Sequence, residues 1–340
     1  MSNRWPGGII RKTPVIPAGP FQNGAASGVW SLADASYWTK QGLWPIAGNV
    51  QDGTFAIFAL GVAGCPSSAR DKYTYAGDVV SVGAAATSAT FNSSAAGNGT
   101  VGIFALGKTS GISVTSARNK YAYAGCVVSA GGAATAASNG GSAAGNSTVG
   151  IFALGCVACA VSSTRNKYTY SGCVVSAGGA ATVASYFGSA AGNSTVGIFA
   201  LGAVPSASAT RNKYTYSGDV VSSATAATVA SNSGSAAGNS AVGIFALGSN
   251  SCSNRIATRD KYTYSGCVVA AGGAATVASR GGSAAGNSTV GIFALGTTPS
   301  ASTTRNKYTY SGCVVAAGGA ATAASTQGSA ASNGIAGITI

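Results

Sequence analysis

Residues Gly188–Thr228 read GSAAGNSTVGIFALGAVPSASATRNKYTYSGDVVSSATAAT, and the reading of this stretch decides the fold. Val, Ile, Phe, Tyr and Thr gather in short runs separated by Gly-Asn and Ser-Gly turn signals, the grammar of short β-strands. Four strands are predicted per unit. Strand A holds SAAG, B holds VGIFAL, C holds NKYTY, and D holds VVSAGGAAT or its local variant. No segment carries a helical period except Ser31 to Gln41.

The same unit recurs along the chain. KYTY or a variant begins at Lys72, Lys120, Lys167, Lys213, Lys261 and Lys307, and GIFALG or a variant at Ala56, Gly102, Gly150, Gly197, Gly243 and Gly291. Successive copies lie 46 to 48 residues apart. Four antiparallel strands in a unit of that length describe a β-propeller blade. Such a blade buries both faces only against its neighbours, which explains why B is apolar at nearly every position. Ala and Gly suit sheets that crowd toward an axis. The chain is therefore expected to be all-β, a propeller of six or seven four-stranded blades spanning 45–340. A β-solenoid or an intertwined fibre is the alternative. Six units run from Pro45 to about Ser325, and Gly328–Ile340 restarts A and B. Val29 to Trp44 would complete a seventh blade, the expected count, with a six-blade ring the alternative.

GNSTVGIFALG followed by a loop and TRNKYTYSGC resembles the kelch pattern, although the double glycine and late Trp of kelch repeats are missing. The opening stretch RWPGGIIRKTPVIPAGPFQNGAASGVWSLADASYWTKQGLWP is similar to the start of virion structural proteins of tailed bacteriophages, notably those of cyanobacterial hosts. That resemblance implies a phage particle protein of the tail-fibre type, located in the virion.

The composition argues against catalysis. There is no His and no Glu, and the six acidic residues are Asp34, Asp52, Asp71, Asp78, Asp219 and Asp260. Acid–base and metal-assisted hydrolysis draw mainly on the missing types. Asp78 matches Asp219 in the repeat, and Asp71 matches Asp260, which reads as structural. No enzyme activity, cofactor or metal is expected. Cys126, Cys173, Cys267 and Cys313 share the position after the C–D turn that Asp78 and Asp219 fill elsewhere; neighbouring blades hold such positions too far apart for disulfides, so free, buried thiols are expected. Cys156 and Cys159 form a lone CxxC without His, a poor zinc motif. The first residues lack the apolar core of a signal peptide, and no stretch is long enough to span a bilayer. Membrane insertion is not expected.

The net charge is +13, and twelve of the nineteen Lys and Arg lie in the six copies of strand C. Alternation puts Arg165 and Lys167 on one face and Asn166, Tyr168 and Tyr170 on the other. Arg211 with Lys213 and Arg305 with Lys307 repeat the pattern. The tyrosines are expected to pack between blades. The basic side chains are expected to form a rim that is either merely solvated or binds an anionic glycan. Nucleic acid fits less well, because the aromatics alternate away from the charges.

Variation among the copies falls in the B–C loops and the D–A tips, which an up-and-down blade places on one face. The tip residues Phe91, Asn139, Tyr186, Phe187, Asn232, Arg280 and Gln327 are therefore candidates for recognition. Residues 1–44 stand apart from the repeats and hold Trp5, Trp30, Trp38 and Trp44. They are expected to attach the propeller to other virion proteins, since Trp is enriched at interface hot spots. A homo-oligomer is expected within the assembly.

Overall fold

The strand grammar is realised in a computed structural model that describes residues 53–110, 113–204, 206–250 and 254–334. In the stretch quoted above, A is Ser189–Gly192, B is Val196–Ala200, C is Arg211–Thr215 and D is Val220–Ala224. They pair antiparallel in chain order, with Ile198 opposite Lys213 and Tyr214 opposite Val221. Asn193 closes the A–B turn by accepting from Thr195 N and Val196 N at 2.9 and 3.0 Å, while its amide donates to Ser240 O of the next sheet. The C–D turn needs two left-handed residues, Gly218 at φ 82° and Asp219 at φ 55°. D ends at Ala224, earlier than the sequence suggests. Beyond it the chain leaves the edge, and Thr228 N donates to Asp260 of the following sheet.

Six four-stranded sheets of this kind build a propeller-like all-β fold. The first sheet is completed from both ends of the described chain. Phe55–Ala59 pairs with Arg70–Thr74 on one side and with Ser329–Ser332 on the other. Strand A of every sheet touches strand A of the next, and the sixth touches the first. The ring therefore holds six sheets, not the expected seven. The innermost strand of the closing sheet comes from Ser329–Ser332, so Val29 to Trp44 are not needed to supply it. That segment, Ser31–Gln41 and the four tryptophans lie outside the described residues.

The core is a set of sheet-to-sheet interfaces. Ala144, Val149 and Ile151 of the third sheet meet Ala190, Phe199, Leu201, Tyr214 and Tyr216 of the fourth. The same partition joins the sixth sheet to the first. B is apolar throughout because Val, Ile and Ala face forward while Phe and Leu face back. The glycine between Val and Ile is sterically required. A Cβ on Gly197 would lie 2.9 Å from the Tyr216 hydroxyl and 3.1 Å from the Ala144 methyl of the preceding sheet.

Candidate recognition face

The D–A tips and B–C loops meet at one end of the ring. Each tip contributes a left-handed residue: Asn92, Gly140, Phe187, Ser233, Gly281 or Gln327, with φ between 51° and 66°. Their backbones form a closed cycle around the axis. The Gly140 N–H donates to Asn92 O, Phe187 to Gly140, Ser233 to Phe187, Gly281 to Ser233, Gln327 to Gly281, and Asn92 to Gln327, at 2.6 to 3.0 Å. Each bond crosses from one tip to the next, so the cycle ties all six sheets together.

The residue before each of these pairs with the B–C loop of its own sheet. Phe91 exchanges backbone bonds with Lys108, Tyr186 with Ala203 and Arg280 with Thr297, while Asn139 opposes Cys156 and Asn232 opposes Ser249. One residue earlier, Thr90, Ser138, Ser185, Ser231, Ser279 and Ser325 donate to the B–C loop of the preceding sheet. Each tip is thus held between two loops. The segments that vary among the copies form one continuous, hydrogen-bonded surface.

The structure brings together all seven tip candidates. Arg280 is exposed, and Phe91, Asn139, Tyr186, Phe187, Asn232 and Gln327 are half-buried. The Tyr186 and Phe187 rings sit 4.8 Å apart, and Phe187 leans on Gly140, where a Cβ would meet its ring at 3.0 Å. Lys108 Nζ lies 6.0 Å from the Phe91 ring. Lys108, Arg255 and Arg280 give the described part of this surface a positive charge. The four described carboxylates lie elsewhere, in ion pairs with strand-C side chains. Among the described residues, no three potential His, Cys, Asp or Glu ligands gather into a metal site.

The strand-C arginines do not form the expected exposed rim. Alternation along strand C is as expected, but both of its faces meet neighbouring sheets. Arg165, Arg211 and Arg305 are only 1% exposed. Each guanidinium stacks on a Phe of the following sheet, at 4.5 Å for Arg165 over Phe199 and 4.7 Å for Arg211 over Phe245. A planar, weakly hydrated cation tolerates such a site where an ammonium would not. Arg165 donates to Asn212 Oδ1 at 3.2 Å, Arg211 to Asp260 at 2.7 Å, and Arg305 to Asp71 at 2.7 Å. Burial pulls the Arg165 guanidinium down to about 10, so it is charged at neutral pH.

The lysines remain half-buried between sheets. Lys167 pairs with Asp219 at 2.9 Å and Lys307 with Asp78 at 3.0 Å. Burial alone would raise the Asp219 carboxyl. Hydrogen bonds from Tyr214 and Lys167, with the charge of Lys167, outweigh it and hold the group below its ordinary value. This contribution is therefore present above the ordinary carboxylate range and is lost as pH falls through the lowered value.

At the equivalent place in the sixth sheet, Lys261 Nζ lies 3.7 Å from Cys313 Sγ. Cys313 is left-handed at φ 52°, which Asp and Asn adopt more readily than Cys. The Cys313→Asp variant is expected to be more stable by about 0.5–1 kcal/mol in denaturant unfolding, with Cys313→Asn gaining less. Equal gains would assign the effect to backbone preference and none to the ion pair. The four thiols of this position are free but half-buried rather than fully buried.

Two features escaped the sequence reading: the backbone cycle and the ladder of buried arginines. Gly140, Gly281 and Asn92 were a partial signal for the cycle, because these types favour the left-handed region. No family model matches the chain, and no curated protein matches it.

Proposed function

We propose that the chain is a bacteriophage virion structural protein, a tail-fibre or appendage component. In this reading a kelch-like propeller presents its tip face to a host-surface glycan. The observation that carries it is the confinement of variation to one face of an otherwise repeated scaffold. Rigid scaffolds commonly present recognition through such loops. The chemistry of the face also suits sugars. Aromatic rings at Phe91, Tyr186 and Phe187 offer apolar platforms, Asn139, Asn232 and Gln327 offer paired donors and acceptors, and Lys108, Arg255 and Arg280 favour anionic units. Residues 1–44, with Trp5, Trp30, Trp38 and Trp44, would attach the propeller to other virion proteins.

Binding of the purified chain to bacterial envelope polysaccharides tests the reading. The Tyr186→Ser, Arg280→Ser double variant is expected to bind at least about tenfold more weakly at an unchanged melting temperature. Unaltered binding, or no binding by the parent chain to any envelope polysaccharide, would sink it.

One observation favours a second reading, a non-adhesive connector or decoration protein. The first valine of every strand D, including Val127, Val174, Val220 and Val314, is more than half exposed at 55 to 59%. These lie on unpaired edge strands, which suit contact with a neighbouring protein. Imaging of the assembled particle separates the two: an adhesin leaves the tip face uncovered, whereas a connector is covered on it.

A further inference from the structure

Beneath the backbone cycle, the axis contains a cavity of about 60 Å³. Its walls include the first residue of every strand A: Ser94, Ser142, Ser189, Ser235, Ser283 and Ser329. Five of these are more than nine-tenths buried, Ser94 and Ser142 at 9% exposure, Ser235 and Ser283 at 8%, and Ser329 at 5%. The Ser329 hydroxyl meets Ser93 Oγ at 2.9 Å. The other five serines line the cavity too, and their hydroxyls make no hydrogen bond to protein. Their hydroxyls are open to a water-sized molecule rather than sealed in protein, so whatever polar species fills the cavity must meet their hydrogen-bonding demand. The volume exceeds what one water needs several-fold.

The charge around the cavity indicates the sign of that occupant. Arg118, Arg165 and Arg305 line small hollows between the sheets, and Ser94, Ser142 and Ser283 respectively form walls of the same hollows. In the third sheet Ala153 pairs with Ser142 on one side and with Arg165 on the other, so one strand lies between arginine and serine. Among the described residues, six such arginines are buried, while only Asp71 and Asp260 are buried with them. Arg70, Arg118, Arg165 and Arg259 have neutral Asn acceptors instead. The interior thus carries four more positive than negative groups, in surroundings where solvent screens weakly. Hydroxyl donors ringed by uncompensated cations suit an anion. A tetrahedral oxyanion suits this site better than a halide, because several oxygens can each accept from the ring.

We propose that the axial cavity binds an inorganic oxyanion of the phosphate or sulfate class, held by the serine ring and favoured by the arginine ladder. This site is separate from the outward-facing tip residues and does not depend on what they recognise. The full chain should melt at a temperature that rises with the logarithm of phosphate or sulfate concentration at constant ionic strength, and not with chloride. A Ser142→Ala, Ser235→Ala, Ser283→Ala variant should lose that dependence, its apparent affinity falling by about tenfold or more. A triple variant as responsive as the parent, or a parent that responds equally to chloride, would overturn the proposal. Should the triple variant not fold, crystals of the parent chain grown with selenate decide it. Anomalous density on the axis inside the serine ring is the expected result; its absence there overturns the assignment.

Discussion

An Arg211→Ala variant is expected to lose about 3–5 kcal/mol of stability in denaturant unfolding, an effect matched among the strand-C arginines only by Arg305, which makes the same buried pair with Asp71. Arg211 and Asp260 side chains are both fully buried and meet at 2.7 Å. Asp260 also accepts from Thr228 Oγ1 at 2.6 Å and Thr228 N at 3.0 Å. Those two bonds do not neutralise it, so removing the guanidinium leaves a carboxylate with no countercharge in a dry interface. Arg165→Ala should cost less, about 2 kcal/mol, because its acceptor Asn212 is neutral and keeps its bonds to Thr182. The difference isolates the orphaned charge. Adding Asp260→Asn to Arg211→Ala should therefore recover much of the loss, since Asn is the residue that four of the six sheets carry at this place. If the double variant is no better than the single one, stacking and packing against Phe245 explain the whole effect.

The arginine ladder also shows where sequence reasoning stopped. The repeat period, the strands and the turns were legible because their signals are local: VGIFAL, GNST and SG each specify their own backbone. The grouping of Phe91, Asn139, Tyr186, Phe187, Asn232, Arg280 and Gln327 was legible too, because an up-and-down sheet sends alternate connections to the same end. Alternation correctly separated Arg165 and Lys167 from Tyr168. It could not say what each face meets, because that depends on Phe199 in the following sheet. The usual expectation for a charged strand, an exposed face, therefore placed Arg165, Arg211 and Arg305 on a rim. The number of sheets was equally non-local. It rests on Phe55–Ala59 finding Ser329–Ser332 rather than any nearer segment.

Ending the chain at Gly328 tests that closure, and is expected to abolish cooperative unfolding. Ala330 and Ala331 are fully buried in the strand this removes. Its loss strips strand B of the first sheet of one side of its ladder, and leaves Tyr123 of the second sheet without the Ser332 carbonyl to which it donates at 2.9 Å. Asn333 is lost as well, and with it the bonds to Phe55 N at 3.0 Å and Thr54 Oγ1 at 2.9 Å. An axial gap then exposes the inner alanines of the neighbouring sheets, Ala285 of the sixth and Ala95 of the second, so the damage spreads beyond one blade. Ala331→Asp probes the same place without shortening the chain. A Cβ on Gly102 would already lie 2.9 Å from the Ala331 methyl, so a carboxylate finds neither room nor a countercharge. Its expected cost is at least about 4 kcal/mol, in the range reserved for buried unpaired charges and overpacking. A truncated chain that unfolds at the parent midpoint would mean that the ring closes through a different segment, and the six-sheet closure described above would be wrong.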